Sequence, residues 1–564
     1  MKFSEFTYER LQFEEVAQNF QEELERLRQA SSVEEQLLVI KEINTIRNRV
    51  ETMMSICHIR HTIDTRESFY KEERDYWNHA QPKMESFISD YYQALLQSPY
   101  RSELEVALGK QLFALAELKL KTFSPEVIED LQLENKLTSQ YTELIASAKI
   151  PFQGEERTLA QLGPFLENPE RQIRRKANEA YAGFLQEHGA ELDEIYDQLV
   201  KLRTKIAKKL GFSSFVELGY ARMSRVDYDK EMVENYRQQI RQYLVPLVTS
   251  LREQQAKRIG VDPLKFYDES FRFATGNPTP KGDPNWIVKN GAQMYGEMSP
   301  ETNEFFQFML KHELLDLVAK PGKAAGGYCT SINDYKAPFI FSNFNGTSGD
   351  IDVLTHEAGH AFQAYMSRDY EIPEYLFPTY ESCEIHSMSM EFFAWPWMEL
   401  FFKEDTEKYY YSHLTSALIF LPYGVAVDHF QHWVYEHPEA TPAERHEAWK
   451  SMEQMYLPHR DYDGIPYFEK GGFWQRQAHI YRTPFYYIDY TLAQVCALEF
   501  WQRTQEDREA AWTDYVDLCK QGGTKPFLEL VKVAGLRSPF ADGTIESTLK
   551  PIQTWLEQID DQQF

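Results

Sequence analysis

A mainly α-helical fold is what this sequence predicts, with one short piece of sheet. Three observations point there. The first roughly 260 residues are poor in Gly and rich in Glu, Leu, Gln and Lys, the composition of helices. Apolar residues recur there at helical spacing: Val16, Phe20, Leu24 and Leu27, then Leu37, Ile40, Val50 and Met54 with gaps. Only one run farther on, Ala337 to Phe344, has the dense apolar and aromatic character of a strand.

Taken in order, the elements carry their own punctuation. Ser32-Val33-Glu34-Glu35 matches a capping box, and Ser124-Pro125-Glu126 an N-cap with Pro at the first helical position. Residues 145–158 are weaker as helix, and Pro151 and Gly154 suggest a turn or small hairpin. Residues 271–300, with Gly276-Asn277-Pro278, Pro280, Gly282 and Asp283-Pro284, read as an extended loop between two regions. These give a mainly helical region over 1–270 and a second region over 271–564. A Gly-rich stretch follows, from Pro321-Gly322-Lys323 to Gly326-Gly327-Tyr328; it lacks the spacing of a phosphate loop. Pro338 near the start of the strand suits a sheet edge, and Asn345-Gly346 reads as a turn. Helical patterns rich in aromatics then run to the end, and no internal repeat is evident.

The bulk numbers exclude several classes. With 60 basic and 87 acidic residues the net charge is −27, which argues against a nucleic-acid binder and against a basic membrane-binding surface. The start of the chain has no apolar core of signal-peptide length, and no run approaches the roughly 18 apolar residues of a membrane span. Five cysteines, odd in number and without a CxxC pair, suit a reducing cytoplasm. Cys383, beside a candidate ligand, reads as a small packed residue.

Chemistry concentrates in Thr355-His356-Glu357-Ala358-Gly359-His360. Residues four apart on a helix lie about 40° apart and one turn along, so both imidazoles can face one metal ion. Glu357 lies about 60° farther round than His360, within reach of a metal-bound water without being a ligand. A zinc hydrolase needs a third protein ligand and an open position. Residues 381–391 hold the richest candidates, and on spacing alone Glu381, Glu384, His386 and Glu391 are all open. Glu384 and Glu391, seven apart, share a helical face, so one could bind metal while the other orients an imidazole. Farther on, residues 479–490 gather His479, Tyr481, Tyr486, Tyr487 and Tyr490, donors able to hold an oxyanion or simply to pack a core.

In this order, the Gly326-Gly327-Tyr328-Cys329 loop, the strand and turn, the His-Glu-x-x-His helix, Glu384-x-x-Ser387-x-x-x-Glu391 and the His479 to Tyr490 cluster resemble the thimet oligopeptidase and oligoendopeptidase F family of zinc peptidases. Within it the chain is most similar to bacterial oligoendopeptidases of the Pz-peptidase type, over about residues 320–495, with weaker similarity before them. The resemblance implies two helical lobes enclosing a deep substrate channel, a clamp-like body with a small β-sheet next to the zinc-binding helix. It implies one Zn2+ on His356, His360 and Glu384, with Glu357 as general base. Glu391 then lies near the metal, supporting a ligand, and His479, Tyr486 and Tyr490 contact the substrate carbonyl, with Tyr487 as the alternative. The implied activity is hydrolysis of internal bonds of short oligopeptides, collagen-derived ones among them, by a cytoplasmic monomer. Binding of the peptide backbone along the strand at Phe339 to Phe344 is a further expectation, with Gly326 and Gly327 allowing close approach.

Two rivals remain at this level. A metallocarboxypeptidase or dipeptidyl carboxypeptidase would need a basic residue for the terminal carboxylate, and Arg482 or Lys323 could serve. A non-catalytic helical peptide-binding scaffold is disfavoured, because ligands, base and donors are all present.

Overall fold

The computed structural model describes residues 1–320, 322–324 and 326–564, apart from the side chains of residues 78, 79, 82, 146 and 160. Pro321, in the Gly-rich stretch, lies outside the described residues. The architecture is mainly helical with two small sheets. The first half follows its apolar stripes. Helix α1 (Phe13–Gln29) buries Phe20, Leu24 and Leu27, and α2 (Val33–Ile63) buries Ile40 and Val50. Both pack with α3 (Ser68–Leu96). Ser32 caps α2 by accepting from the Glu35 amide, while Glu35 reaches back to the amide of Ser31. Such a cap stabilises a helix by about 1 kcal/mol. Ser124 accepts from the Glu126 amide, and Pro125 opens a single 3-10 turn before the helix Ile128–Ala146.

The hairpin near residue 150 forms as expected. Strands β1 (Ile150–Phe152) and β2 (Glu155–Arg157) pair antiparallel through Gln153 and Gly154, both at positive φ. The expected loop over 271–300 needs correction: residues Pro284–Met298 are helix. Asp283 accepts from the Trp286 amide and Pro284 fills the first helical position, so Asp-Pro is a helix start here, not a turn.

The second sheet positions the site. Strands β3 (Leu315–Val318), β4 (Tyr328–Ile332) and β5 (Ala337–Phe344) lie in the order β3-β5-β4, with β3 parallel and β4 antiparallel to β5. The apolar run read as an edge strand is thus the central strand. Its nearly unbroken burial explains the composition, since a strand covered on both faces reads as a continuous apolar run. Pro338 is tolerated because β3 first pairs with β5 at Ile340; at Pro338 only β4, through Ser331, lies alongside. The edges are β3 and β4, and the outer side of β4 carries no strand among the described residues. Beside it lies a cavity of about 450 Å³ lined by Cys329, Thr330 and Ser331, by Val50 and Met54 of α2, and by Phe377. The start of the chain closes the sheet from outside: the Phe3 ring lies 4.5 Å from that of Phe339, and Phe6 stacks on Tyr335.

Candidate metal centre

Four helices build the centre. The motif helix is Gly349–Ser367 and a carboxylate-bearing helix is Tyr380–Phe393. A long helix, Thr406–Glu436, and the helix Tyr487–Glu506 complete it. The turn at Asn345-Gly346 sets the entry to the motif helix. Asp350 in its first turn accepts from both of those amides, at 2.8 Å each. The motif helix then runs against the Tyr380–Phe393 helix at unusually short range. A Cβ added to Gly359 would lie 2.6 Å from the His386 carbonyl oxygen and 2.7 Å from Ser387 Cα. Only a residue without a side chain fits there.

That approach brings His356, His360 and Glu384 together: one ligand atom of each lies within 4.8 Å of the others. Glu384 Oε2 is 3.3 Å from His356 Nε2 and 3.5 Å from His360 Nε2. Two imidazole nitrogens and one carboxylate oxygen are a donor set suited to zinc. Glu384 is oriented by Ser387 Oγ, which donates to Oε2 at 2.9 Å, and by the Tyr486 hydroxyl, which donates to Oε1 at 3.2 Å. Burial alone would raise the Glu384 carboxyl, yet His360 and His356 hold it well below the usual carboxylate range. The residues therefore fit a metal ion.

Glu391, on the same face as Glu384, accepts from His356 Nδ1 at 2.7 Å. Its other oxygen meets His413 Nε2 at 2.7 Å. Burial opposes its charge, but these two histidines outweigh it and the carboxyl stays below its ordinary range. Glu357 differs: its Oε2 is buried with no partner, and burial raises its carboxyl. Gly327 lies close to it, since a Cβ there would be 3.6 Å from Glu357 Oε1. The remaining candidates lie elsewhere. Glu381 is buried beside Asp489 and Arg225, which pair at 2.7 Å, and burial with the Asp489 charge pushes it up to about 8. The His386 imidazole is buried without a partner. Cys383 is buried, with its thiol on the Pro378 carbonyl.

The donor cluster faces a cavity of about 460 Å³ lined by His356, Glu391, His413, His479, Tyr487 and Tyr490, among others. Gln477 Nε2 lies 2.7 Å from His479 Nδ1, while its Oε1 accepts from the Tyr423 hydroxyl. An amide nitrogen can only donate, so the His479 proton sits on Nε2. Burial lowers the His479 pKa, with Arg482 adding to the effect, which keeps the ring neutral. The Tyr486 and Tyr490 rings lie 4.9 Å apart, and Tyr487 packs 5.0 Å from His479. Burial, then Glu384, pushes the Tyr490 hydroxyl up to about 12, so it remains a donor. Lys323 is committed: it pairs with Asp316 and donates to the Ser342 and Val318 carbonyls. His413, Trp395, Gln477 and Tyr423 carry no spacing signal that ties them to the motif; they arrive from separate elements.

A helical fold with a buried His-Glu-x-x-His helix and a carboxylate facing it defines a hydrolase-type centre able to hold a metal. The model for the Peptidase M3 N-terminal domain matches residues 3–123, and that for Peptidase family M3 matches 165–275 and 301–548. The chain belongs to peptidase family M3. It is 63% identical to a solved structure of Pz peptidase A with an inhibitor, over 100% of both chains, with a TM-score of 0.94. A candidate oligoendopeptidase F from Bacillus anthracis str. Ames is 61% identical over 100% of this chain and 99% of that one, with a TM-score of 0.90. An oligoendopeptidase F homolog of Borreliella burgdorferi is 24% identical over 507 residues, 85% of this chain and 81% of that one.

Proposed function

We propose that this peptidase is a zinc endopeptidase that cleaves internal bonds of short oligopeptides. The observation that carries the reading is the convergence of His356, His360 and Glu384 beside the unpartnered Glu357 carboxylate. Zinc bound there would supply a Lewis acid that polarises the scissile carbonyl and acidifies water. The chain's own groups do the rest. Glu357 takes a proton from the attacking water and passes it to the leaving nitrogen. His479, through Nε2–H, and Tyr490 donate to the carbonyl oxygen as charge develops there; Tyr486, whose one proton is on Glu384 in the free enzyme, serves as a third donor only by turning from that carboxylate to the substrate. The exposed edge of β4 receives the substrate backbone by strand addition, in place of the covered β5. Tyr328–Ile332 follows directly on Gly327, so a peptide paired with it runs from Glu357 along the 450 Å³ cavity.

This reading takes the family's clamp-like body as a channel for short peptides, collagen-derived ones among its substrates. Free thiols at all five cysteines support a cytoplasmic setting. The carboxypeptidase alternative is weakened by Lys323, whose ammonium is already satisfied, while Arg482 remains exposed. The deciding experiment is digestion of an oligopeptide blocked at both ends, with metal analysis before and after chelation. Internal cleavage that vanishes on chelation and returns with zinc is the expected result. An intact blocked peptide, or activity indifferent to chelator, would overturn the proposal.

A further inference from the structure

We infer that His413 is a positioning residue of the metal centre: with its own tautomer set by Trp395, it donates to Glu391 and holds in place the carboxylate that fixes the tautomer of His356. The inference rests on the zinc reading above and deepens it. The starting point is an indole. Its N–H can donate and cannot accept. Trp395 Nε1 lies 3.1 Å from His413 Nδ1, so that nitrogen must accept. The single ring proton then sits on Nε2, which donates to Glu391 Oε2 at 2.7 Å. Glu391 Oε1 remains to accept, and His356 Nδ1 donates to it at 2.7 Å. With its proton on Nδ1, His356 turns the lone pair of Nε2 toward Glu384 Oε2, 3.3 Å away, where the ligand atoms converge. An ionised carboxylate accepts on both oxygens, so Glu391 itself fixes the proton of His356, and what Trp395 and His413 fix is the position of that carboxylate.

The packing holds the relay in this sense. Trp395 and His413 are buried, 7% and 9% exposed, although His413 also lines the cavity of about 460 Å³. The His413 ring lies nearly parallel to Tyr409, with centroids 5.5 Å apart, and 4.9 Å from Phe392. Turning the ring to swap its nitrogens would require both neighbours to move. Tyr409 is itself tied down, donating to Asp352 Oδ1 at 2.7 Å. Among the described residues only one of the two candidate ligand histidines has this support: no hydrogen bond is formed by His360 Nδ1. The four members come from three helical segments and the short turn at Trp395–Trp397. The arrangement is therefore a product of tertiary packing.

The test measures zinc affinity by competition with a chelator of known strength, in the full-length protein. His413→Leu should weaken zinc binding roughly 10–100-fold, the cost typical of losing a partner behind a ligand. Glu391→Gln should do the same, and the double variant should be no worse than the weaker single one, because both break one chain. His413→Gln, whose amide can still donate to Glu391, should recover most of the loss. Trp395→Phe keeps the packing and should give a smaller loss. Independently of any variant, the 15N shifts of the His413 ring should show a bare Nδ1 and a protonated Nε2. The opposite tautomer would overturn the inference. So would zinc affinity within about twofold of wild type in folded His413→Leu, or losses that simply add. Should His413→Leu not fold, His413→Gln and the 15N spectrum carry the test. Wild-type protein that binds no zinc would instead sink the metal reading itself.

Discussion

Two buried clusters of carboxylates show how a structural centre differs from a chemical one. At Asp268 and Glu269 every negative charge meets guanidinium. Asp268 pairs with Arg171 and Arg174 at 2.7 Å each, and Glu269 with Arg460 at 2.8 Å and Arg252 at 3.3 Å. At Glu357, Glu384 and Glu391 no Lys or Arg forms an ion pair among the described residues; the partners are imidazoles, and Glu357 has none. Guanidinium is permanently charged, so the first cluster is neutralised once and for all. Imidazole can be neutral, so the second cluster keeps negative charge to offer a cation and a carboxylate free to move a proton. A cluster that lacks its arginines is the one with work to do.

That contrast can be broken by substitution. Glu384→Ala should abolish stoichiometric zinc and with it peptide hydrolysis; full zinc occupancy in this variant would reject the ligand assignment. Glu357→Gln should keep zinc yet lose on the order of 10²–10⁴-fold in kcat, the worth of a general base. Unchanged turnover on a blocked peptide would remove Glu357 from the mechanism. In the other cluster, Asp268→Ala should leave zinc content intact but destabilise the fold by about 3–5 kcal/mol, because Arg174 is left buried and unpaired. Denaturant unfolding measures this, and a loss of zinc without a loss of stability would reverse the two roles. The smallest effect is on pH dependence. Burial raises Glu269, but Arg460 and Arg252 hold it at about 2, below its unfolded value of 4.5. Its ionised form therefore adds stability above about pH 4.5 that disappears as pH falls toward 2. Glu269→Gln should flatten that part of the acid-unfolding curve.

The sequence carried the half of the site that lies on one helix. His356 and His360 are legible because helical geometry alone makes them neighbours, and the helical stripes of α1 and α2 were legible for the same reason. Glu384 was one of four candidates by spacing, and the family resemblance singled it out; in the fold, Glu381 is drawn off to Arg225 and Asp489. His413, Trp395 and Gln477 could not be read, because their roles exist only once separate helices pack. The two misread elements have local causes. Asp283-Pro284 serves turns and helix starts alike, and helix won because residues beyond it, Ile287, Met294 and Tyr295, find a buried face. A proline in β5 suggested an edge, but its position precedes the β3 pairing, so a central strand could keep it.

Gly359 sets a dimension of the centre as well as a contact. Because it lets two helices touch backbone to backbone, it acts as the spacer gauge of the centre: it fixes how far the carboxylate of one helix stands from the imidazoles of the other. Metal–ligand distances tolerate errors of only about 0.2 Å. A single methyl group at residue 359 would wedge the helices apart by more than that. Gly359→Ala should then cost metal affinity while leaving every ligand and every proton donor in the sequence unchanged. The tightest tolerance in this centre belongs to a residue with no side chain at all.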